Sequence, residues 1–460
     1  AEAAEEDTAV SMDLGAVLAY QGRADEAVAC FRRVLAFDPG NALAHANLLM
    51  CLNYLPGLSG RAVREAHEDW ARGQAEPLRA GWQPHGNNRD PGRRLRLGYV
   101  SADFGRHPVG FFLARVLPAH DREAVEVFCY SCRAAEEEDD LSRRLAGDAG
   151  HWRRVGDLDD DALAERVRED GIDILVDLAG HSAGHRLGLF ARKPAPVQVS
   201  WLGYFATTGM SAFDATIMDA DTVPPGAEAE FVEPVVRLPR LRFCYDPPEP
   251  APAVAPPPCL ERGHITFGSF NNLAKLSPAV IALWARVLHA VPASRLVLKW
   301  MSLADPLLCR ILVESFSVHG IAPERIEPRG PSPHARMLAE YGDVDIALDP
   351  FPFGGGLTSC EALWMGVPVV TLPGERPASR QTLGFLRCLG LGELAADSAG
   401  DYVVKAAALA ADPARLAVLR QDLRGRMAAS SLCDGPGFAR DLEAALRGLW
   451  TEWCARGAIV

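Results

Sequence analysis

Five segments of this chain bring together residues that handle charge and protons, and each follows an apolar run. The first is Asp349-Pro350-Phe351-Pro352-Phe353-Gly354-Gly355-Gly356-Leu357-Thr358-Ser359-Cys360-Glu361. Gly354, Gly355 and Gly356 bare the backbone so that a ligand can approach closely. A helix beginning near Leu357 and Thr358 would turn free N–H groups and the positive end of its dipole toward that ligand. Such a place suits a phosphate. Glu361, one turn in, is positioned to accept hydrogen bonds from neutral hydroxyls such as a ribose. The same residues also suit a glycine-rich turn that serves the fold alone.

In Ser269-Phe270-Asn271-Asn272-Leu273-Ala274-Lys275, the lysine would face the glycine stretch and neutralise charge building up on a departing diphosphate. No Asp-x-Asp segment suits holding a divalent metal there, so Lys275 and the helix start would share the metal's usual task. The loop Ser101-Ala102-Asp103-Phe104-Gly105-Arg106-His107-Pro108 sets a carboxylate and an imidazole together, with Pro108 opening a helix. Asp103 and His107 could orient and deprotonate an acceptor hydroxyl; a turn cap and a half-buried histidine are the plainer reading. His181 and His185, four apart, lack a third metal ligand and read as polar lining. Trp201 to Gly209 offers aromatic, glycine and hydroxyl residues that suit a sugar, or a simple turn.

These loops need rigid elements to carry them. At 460 residues the chain is too long for one core. Its 48% hydrophobic and 23% charged residues are those of a soluble globular protein. A net charge of −13 argues against a nucleic-acid partner. No apolar run approaches the roughly 18 residues of a membrane span, and no signal peptide is visible. The chain opens on Ala1 and reads as processed or trimmed. Its eleven cysteines are scattered, Cys129 and Cys132 reading as strand thiols, and a reducing cytoplasm fits them.

Leu14-Gly15, Leu18, Gly22, Glu26-Ala27, Phe31, Leu35 and Asp38-Pro39 fall at tetratricopeptide spacing, and Asn41 to Tyr54 resembles the first helix of another repeat. One and a half repeats must dock on the rest of the chain, or be the remnant of a longer array. Beyond Arg94, strands alternate with helices, as in a parallel α/β domain. The proline-rich stretch after Asp246 is a stiff linker, and the alternation then restarts. The expected organisation is a tetratricopeptide-like segment at 1–56, a linker helix and loop at 57–92, and a first Rossmann-like domain at 93–245. A proline-rich linker at 246–261, a second Rossmann-like domain at 262–436 and a terminal helix at 437–460 complete it. Ligands of paired open sheets sit at the carboxyl ends of the strands, here in the cleft between domains.

Taken together, the loops resemble the catalytic region of the O-linked N-acetylglucosamine transferases and their SPINDLY-like relatives. The matching motifs run 98–108, 194–204, 270–275, 351–368 and 373–380, and the likeness covers roughly residues 94–450. The resemblance implies a GT-B fold and metal-independent, inverting transfer of N-acetylglucosamine from UDP-GlcNAc to Ser or Thr of protein or peptide acceptors. It implies that Asn272 and Lys275 contact the diphosphate, with Gly355, Gly356, Leu357 and Thr358 binding it from the other side. Glu361 would hold the ribose, Leu202 and Gly203 would lie against the sugar, and Asp103 and His107 beside sugar and acceptor. Gly356-Leu357-Thr358 stands where the animal enzymes have His-Thr-Thr, and the base segment Pro331 to Arg336 also differs. The pattern is nearer the SPINDLY branch, so GDP-fucose is the alternative donor. A tetratricopeptide scaffold with lapsed transferase domains is the reading of a different class.

Overall fold

The computed structural model describes residues 2–456. By their contacts these form two compact units: residues 59–246 with 431–456, and residues 2–58 with 247–430. The boundary at Asp246 and Pro247 coincides with the start of the proline-rich stretch.

The first unit holds β1 (Leu95–Ser101), β2 (Val125–Ser131), β3 (His151–Arg154), β4 (Ile174–Asp177), β5 (Val197–Ser200), β6 (Ala215–Asp219) and β7 (Val235–Leu238). They form one sheet in the order β3-β2-β1-β4-β5-β6-β7, and every pairing is parallel. Tyr99 of β1 lies opposite Cys129 of β2 and Val176 of β4. Central strands are covered on both faces, which is why β1 and β4 read as nearly continuous apolar runs. The sequence reading did not anticipate β3 and β7. Both are edge strands, half-buried, and His-Trp-Arg-Arg offers no apolar run to find.

The segment before β1, expected as a linker, is built into this unit. Helix Gly60–Gln74 is capped by Ser59, whose hydroxyl accepts from the Ala62 amide at 3.2 Å. It buries His67 and Trp70. Helix Gly435–Ala455 also belongs here. Phe438 stacks on Trp201 with ring centroids 5.6 Å apart, Glu443 pairs with His120 at 2.7 Å, and Arg447 donates to the Pro91, Arg93 and Ala124 carbonyls.

The second unit holds β8 (Thr266–Ser269), β9 (Arg295–Lys299), β10 (Ile326–Arg329), β11 (Ile346–Leu348) and β12 (Val369–Val370), all parallel, in the order β10-β9-β8-β11-β12. In both sheets the strand order reverses beside the first strand, between β1 and β4 and between β8 and β11. Loops leaving adjacent strands there run to opposite faces and open a crevice at the carboxyl edge. The loops after β1 and β4, and those after β8 and β11, are the ones singled out from their chemistry.

Three helices, Glu2–Tyr20, Ala24–Phe37 and Ala42–Leu52, complete the second unit. Phe31 packs over Gly15, where a Cβ would come within 2.7 Å of the ring. Gly22 makes the turn with φ +75°, the left-handed region that glycine tolerates. The need for a docking surface is met within the unit: Gly22 rests on the Leu273 and Leu276 carbonyls. Among the described residues no helix is long and apolar enough to cross a membrane.

Candidate active site

The glycine loop after β11 is organised by Asp349, 1% exposed. Its carboxylate accepts from the Gly355 amide at 2.6 Å and the Thr371 hydroxyl at 2.7 Å. Burial raises its pKa, opposed by those hydrogen bonds and by Lys275. Glycine is required beside it, because a Cβ on Gly354 would come within 2.9 Å of this carboxylate. The helix starts at Leu357, as expected, and its N-cap, Gly356, supplies no side-chain cap. The side-chain oxygen that commonly occupies a first turn is thus replaced by glycine.

The lysine loop after β8 comes to the same place. Lys275 Nζ donates to the Gly354 carbonyl at 2.8 Å and to Asn271 Oδ1 at 3.3 Å, and lies 4.5 Å from the centre of the Phe353 ring. Asn271 Oδ1 also accepts from the Thr358 hydroxyl at 3.0 Å. Burial lowers the Lys275 pKa to about 8, opposed by Asp349. The expected partner Asn272 has another task in this structure: its side-chain oxygen caps the turn Leu273–Lys275 by accepting from the Ala274 amide at 3.1 Å. Sequence reasoning assigned no role to Asn271 or Asp349.

Glu361 lies inside that helix, 3% exposed, and its carboxylate pairs with His334 Nε2 at 2.7 Å. Burial raises its pKa, and His334 opposes the rise. His334 is the first residue of helix His334–Glu340, within the segment expected to meet the nucleobase. The segment expected to meet the base and the carboxylate expected to hold the ribose are therefore joined directly.

In the first unit, His107 is the N-cap of helix Pro108–Leu113, its Nδ1 3.4 Å from the Val109 amide and 3.5 Å from Asp103 Oδ2. Partial burial lowers the His107 pKa, with Asp103 opposing. Burial raises the Asp103 pKa, opposed by His107 and Arg133. The loop is lashed to the acidic segment after β2: the Arg106 amide donates to Asp139 at 2.7 Å, and the Ser142 hydroxyl to the Phe104 carbonyl at 2.7 Å.

Leu202 has φ +75°, and the Gly203 amide donates to the Trp201 carbonyl at 3.0 Å. This is an i to i+2 turn about a left-handed leucine, a conformation rare in non-glycine residues because it is strained. Gly203 packs so closely on the Leu178 carbonyl oxygen that a Cβ would collide with it. Strain held at one point by surrounding contacts is a pointer to function.

Two expectations for neighbouring loops change. Thr207 and Thr208 are buried, and both hydroxyls donate to the Glu233 carboxylate, so they do not offer hydroxyls to a sugar. His181 is buried against Trp70 with ring centroids 4.5 Å apart, and its Nε2 lies 2.8 Å from the Thr208 carbonyl. It is core, not polar lining. Among the described residues no group of three or more His, Cys, Asp or Glu side chains has the arrangement to hold a metal ion.

Two parallel, doubly wound sheets with their chemistry-bearing loops at the carboxyl edges define the GT-B class of glycosyltransferases. The chain belongs to Glycosyl transferase family 41, whose profile matches residues 78–249 and 259–442. It is 39% identical over 430 residues to a Solanum lycopersicum protein named probable UDP-N-acetylglucosamine–peptide N-acetylglucosaminyltransferase SPINDLY, covering 91% of this chain and 45% of that one. The Arabidopsis thaliana protein of the same name is 40% identical over 428 residues, covering 91% and 46%. The chain thus spans about half the length of these curated relatives. Among solved structures, a mutant of the Thermobaculum terrenum O-GlcNAc transferase superposes with a TM-score of 0.93 at 41% identity. That match covers 98% of this chain and 85% of the other.

Proposed function

We propose that this chain is a protein O-glycosyltransferase that transfers N-acetylglucosamine, with inversion, from UDP-GlcNAc to Ser or Thr hydroxyls of protein or peptide acceptors. The observation that carries the reading is the convergence of Lys275, Asn271 and Thr358 on a glycine-bared helix start. It is an anion site made of one ammonium, one hydroxyl and backbone amides. The names of similar proteins, which include UDP-N-acetylglucosamine–peptide N-acetylglucosaminyltransferase, support the donor and the acceptor class.

In this reading the acceptor oxygen attacks the anomeric carbon as the bond to the diphosphate breaks. Negative charge grows on the departing nucleoside diphosphate. Lys275 and the amides of Leu357 and Thr358 stabilise it, with Gly355 and Gly356 permitting close approach. Glu361 holds the ribose, and Leu202 and Gly203 bound the sugar. The acceptor proton passes to the His107–Asp103 pair, whose Nδ1 and Oδ2 lie 3.5 Å apart. Metal independence follows in this proposal from Lys275 and the helix start, which supply the positive charge themselves. Eleven free thiols support a reducing, cytoplasmic setting.

Calorimetric titration with UDP and with GDP tests the proposal. UDP binding with GDP excluded is the expected outcome. GDP binding would transfer the reading to a GDP-fucose donor. Binding neither nucleotide would leave only the lapsed scaffold.

A further inference from the structure

The helical segment touches both loops that hold Lys275. Gly22, at the turn between its first two helices, rests on the Leu273 and Leu276 carbonyls, which flank the lysine. Tyr54, just past helix Ala42–Leu52, stacks on Phe353 of the glycine loop with ring centroids 5.1 Å apart and planes 27° apart. The Phe353 ring in turn lies 4.5 Å from Lys275 Nζ. Tyr54 is itself held from the second α/β core, because buried Arg376 donates to the Leu52 carbonyl at 2.9 Å and the Leu55 carbonyl at 2.6 Å.

We propose that Tyr54 is a positioning residue for the Lys275 ammonium, acting through Phe353, so that the tetratricopeptide-like segment forms part of the nucleoside-diphosphate site. This rests on the glycosyltransferase reading above. An ammonium over an aromatic ring keeps its place only while the ring is fixed and dry. Tyr54 supplies both conditions, covering the ring and setting its plane. Phe353 and Gly354 are adjacent, so a tilt of Phe353 also moves the carbonyl to which Lys275 donates.

The titratable groups facing Lys275 are the Asp349 carboxyl, which favours the ammonium, and the Tyr54 phenol beyond Phe353. Behind Tyr54 lie Cys51 and Tyr20. Burial pushes the Tyr54 phenol well above its ordinary range and the Cys51 thiol up to about 12. In the wild-type chain, diphosphate affinity should therefore fall as pH rises through about 8, where Lys275 loses its charge.

The test compares wild type, Tyr54→Leu, Tyr54→Phe and Arg376→Gln, each titrated with UDP and with GDP between pH 6 and 10 alongside its Tm. Tyr54→Leu should bind the preferred nucleotide about tenfold more weakly, because the loss approaches one desolvated cation–ring contact. Its alkaline inflection should move upward as water reaches the ammonium. Tyr54→Phe keeps the ring and should match wild type in both respects. A folded Tyr54→Leu with unchanged affinity and an unchanged inflection would overturn the proposal. If Tyr54→Leu does not fold, Arg376→Gln decides. Weaker binding with an upward-shifted inflection supports the proposal, and wild-type behaviour overturns it. A wild-type chain that binds neither nucleotide would instead sink the glycosyltransferase reading itself.

Discussion

Lys275 Nζ donates to the carbonyl oxygen of Gly354 at 2.8 Å, tying the loop after β8 to the glycine loop after β11. In the proposed mechanism that carbonyl is the partner Lys275 exchanges for a phosphate oxygen. The pair is preformed, and its charge is poised by burial.

Replacing Lys275 by Met should lower turnover by about 10²–10³, the usual cost of one charge-stabilising group in a transition state. Tm should change little, because the substitution relieves a buried charge. Steady-state kinetics with a peptide acceptor measure the first expectation and a thermal melt the second. Turnover within threefold of wild type would remove Lys275 from the mechanism.

The pH profile should be bounded by His107 and Lys275. His107 must be neutral to accept a proton, and partial burial lowers its pKa, so the acid limb should fall below the ordinary histidine value of about 6.5. Lys275 must be charged, so activity should decline as pH rises through about 8. In Lys275→Arg the alkaline limb should disappear, because a guanidinium does not titrate there.

His107→Ala and Asp103→Asn should each leave nucleotide binding intact while reducing kcat by about 10²–10⁴, the range of general-base catalysis. Calorimetry and kinetics on the same preparations separate the two. Full turnover in both variants would transfer the base role elsewhere.

On the proposed mechanism, in which Lys275 and the helix start carry the charge, dialysis against EDTA should leave the rate unchanged. A rate restored only by added divalent ion would contradict this.

Gly203→Ala should destabilise the first unit by about 2 kcal/mol or more, because its Cβ collides with the Leu178 carbonyl beside an already left-handed Leu202. Gly22→Ala should destabilise the second unit similarly. It sits at φ +75°, with the Leu273 and Leu276 carbonyls within 2.9 Å of its Cβ position. Denaturant melts of the two variants read these costs.

Much of this protein is local, and local features are legible in sequence. Apolar runs in β1, β4, β8 and β11 set strands that are buried on both faces. Gly354, Gly355 and Gly356 before an apolar helix mark a bared helix start, and the prolines after Asp246 mark the boundary between units. Composition and spacing therefore determined the α/β class, the order of the loops and the residue types that line the candidate site. Tertiary packing decided the rest. It buried Thr207, Thr208 and His181, chose Asn271 over its neighbour to join Thr358 and Lys275, and joined His334 to Glu361. It also returned the last helix to the first sheet and set Tyr54 on Phe353. The glycine stretch is legible as a bared helix start, because backbone freedom is a property of single residues. Which side chains charge, dry and steady that place depends on contacts between residues far apart in the chain, and only packing specifies those.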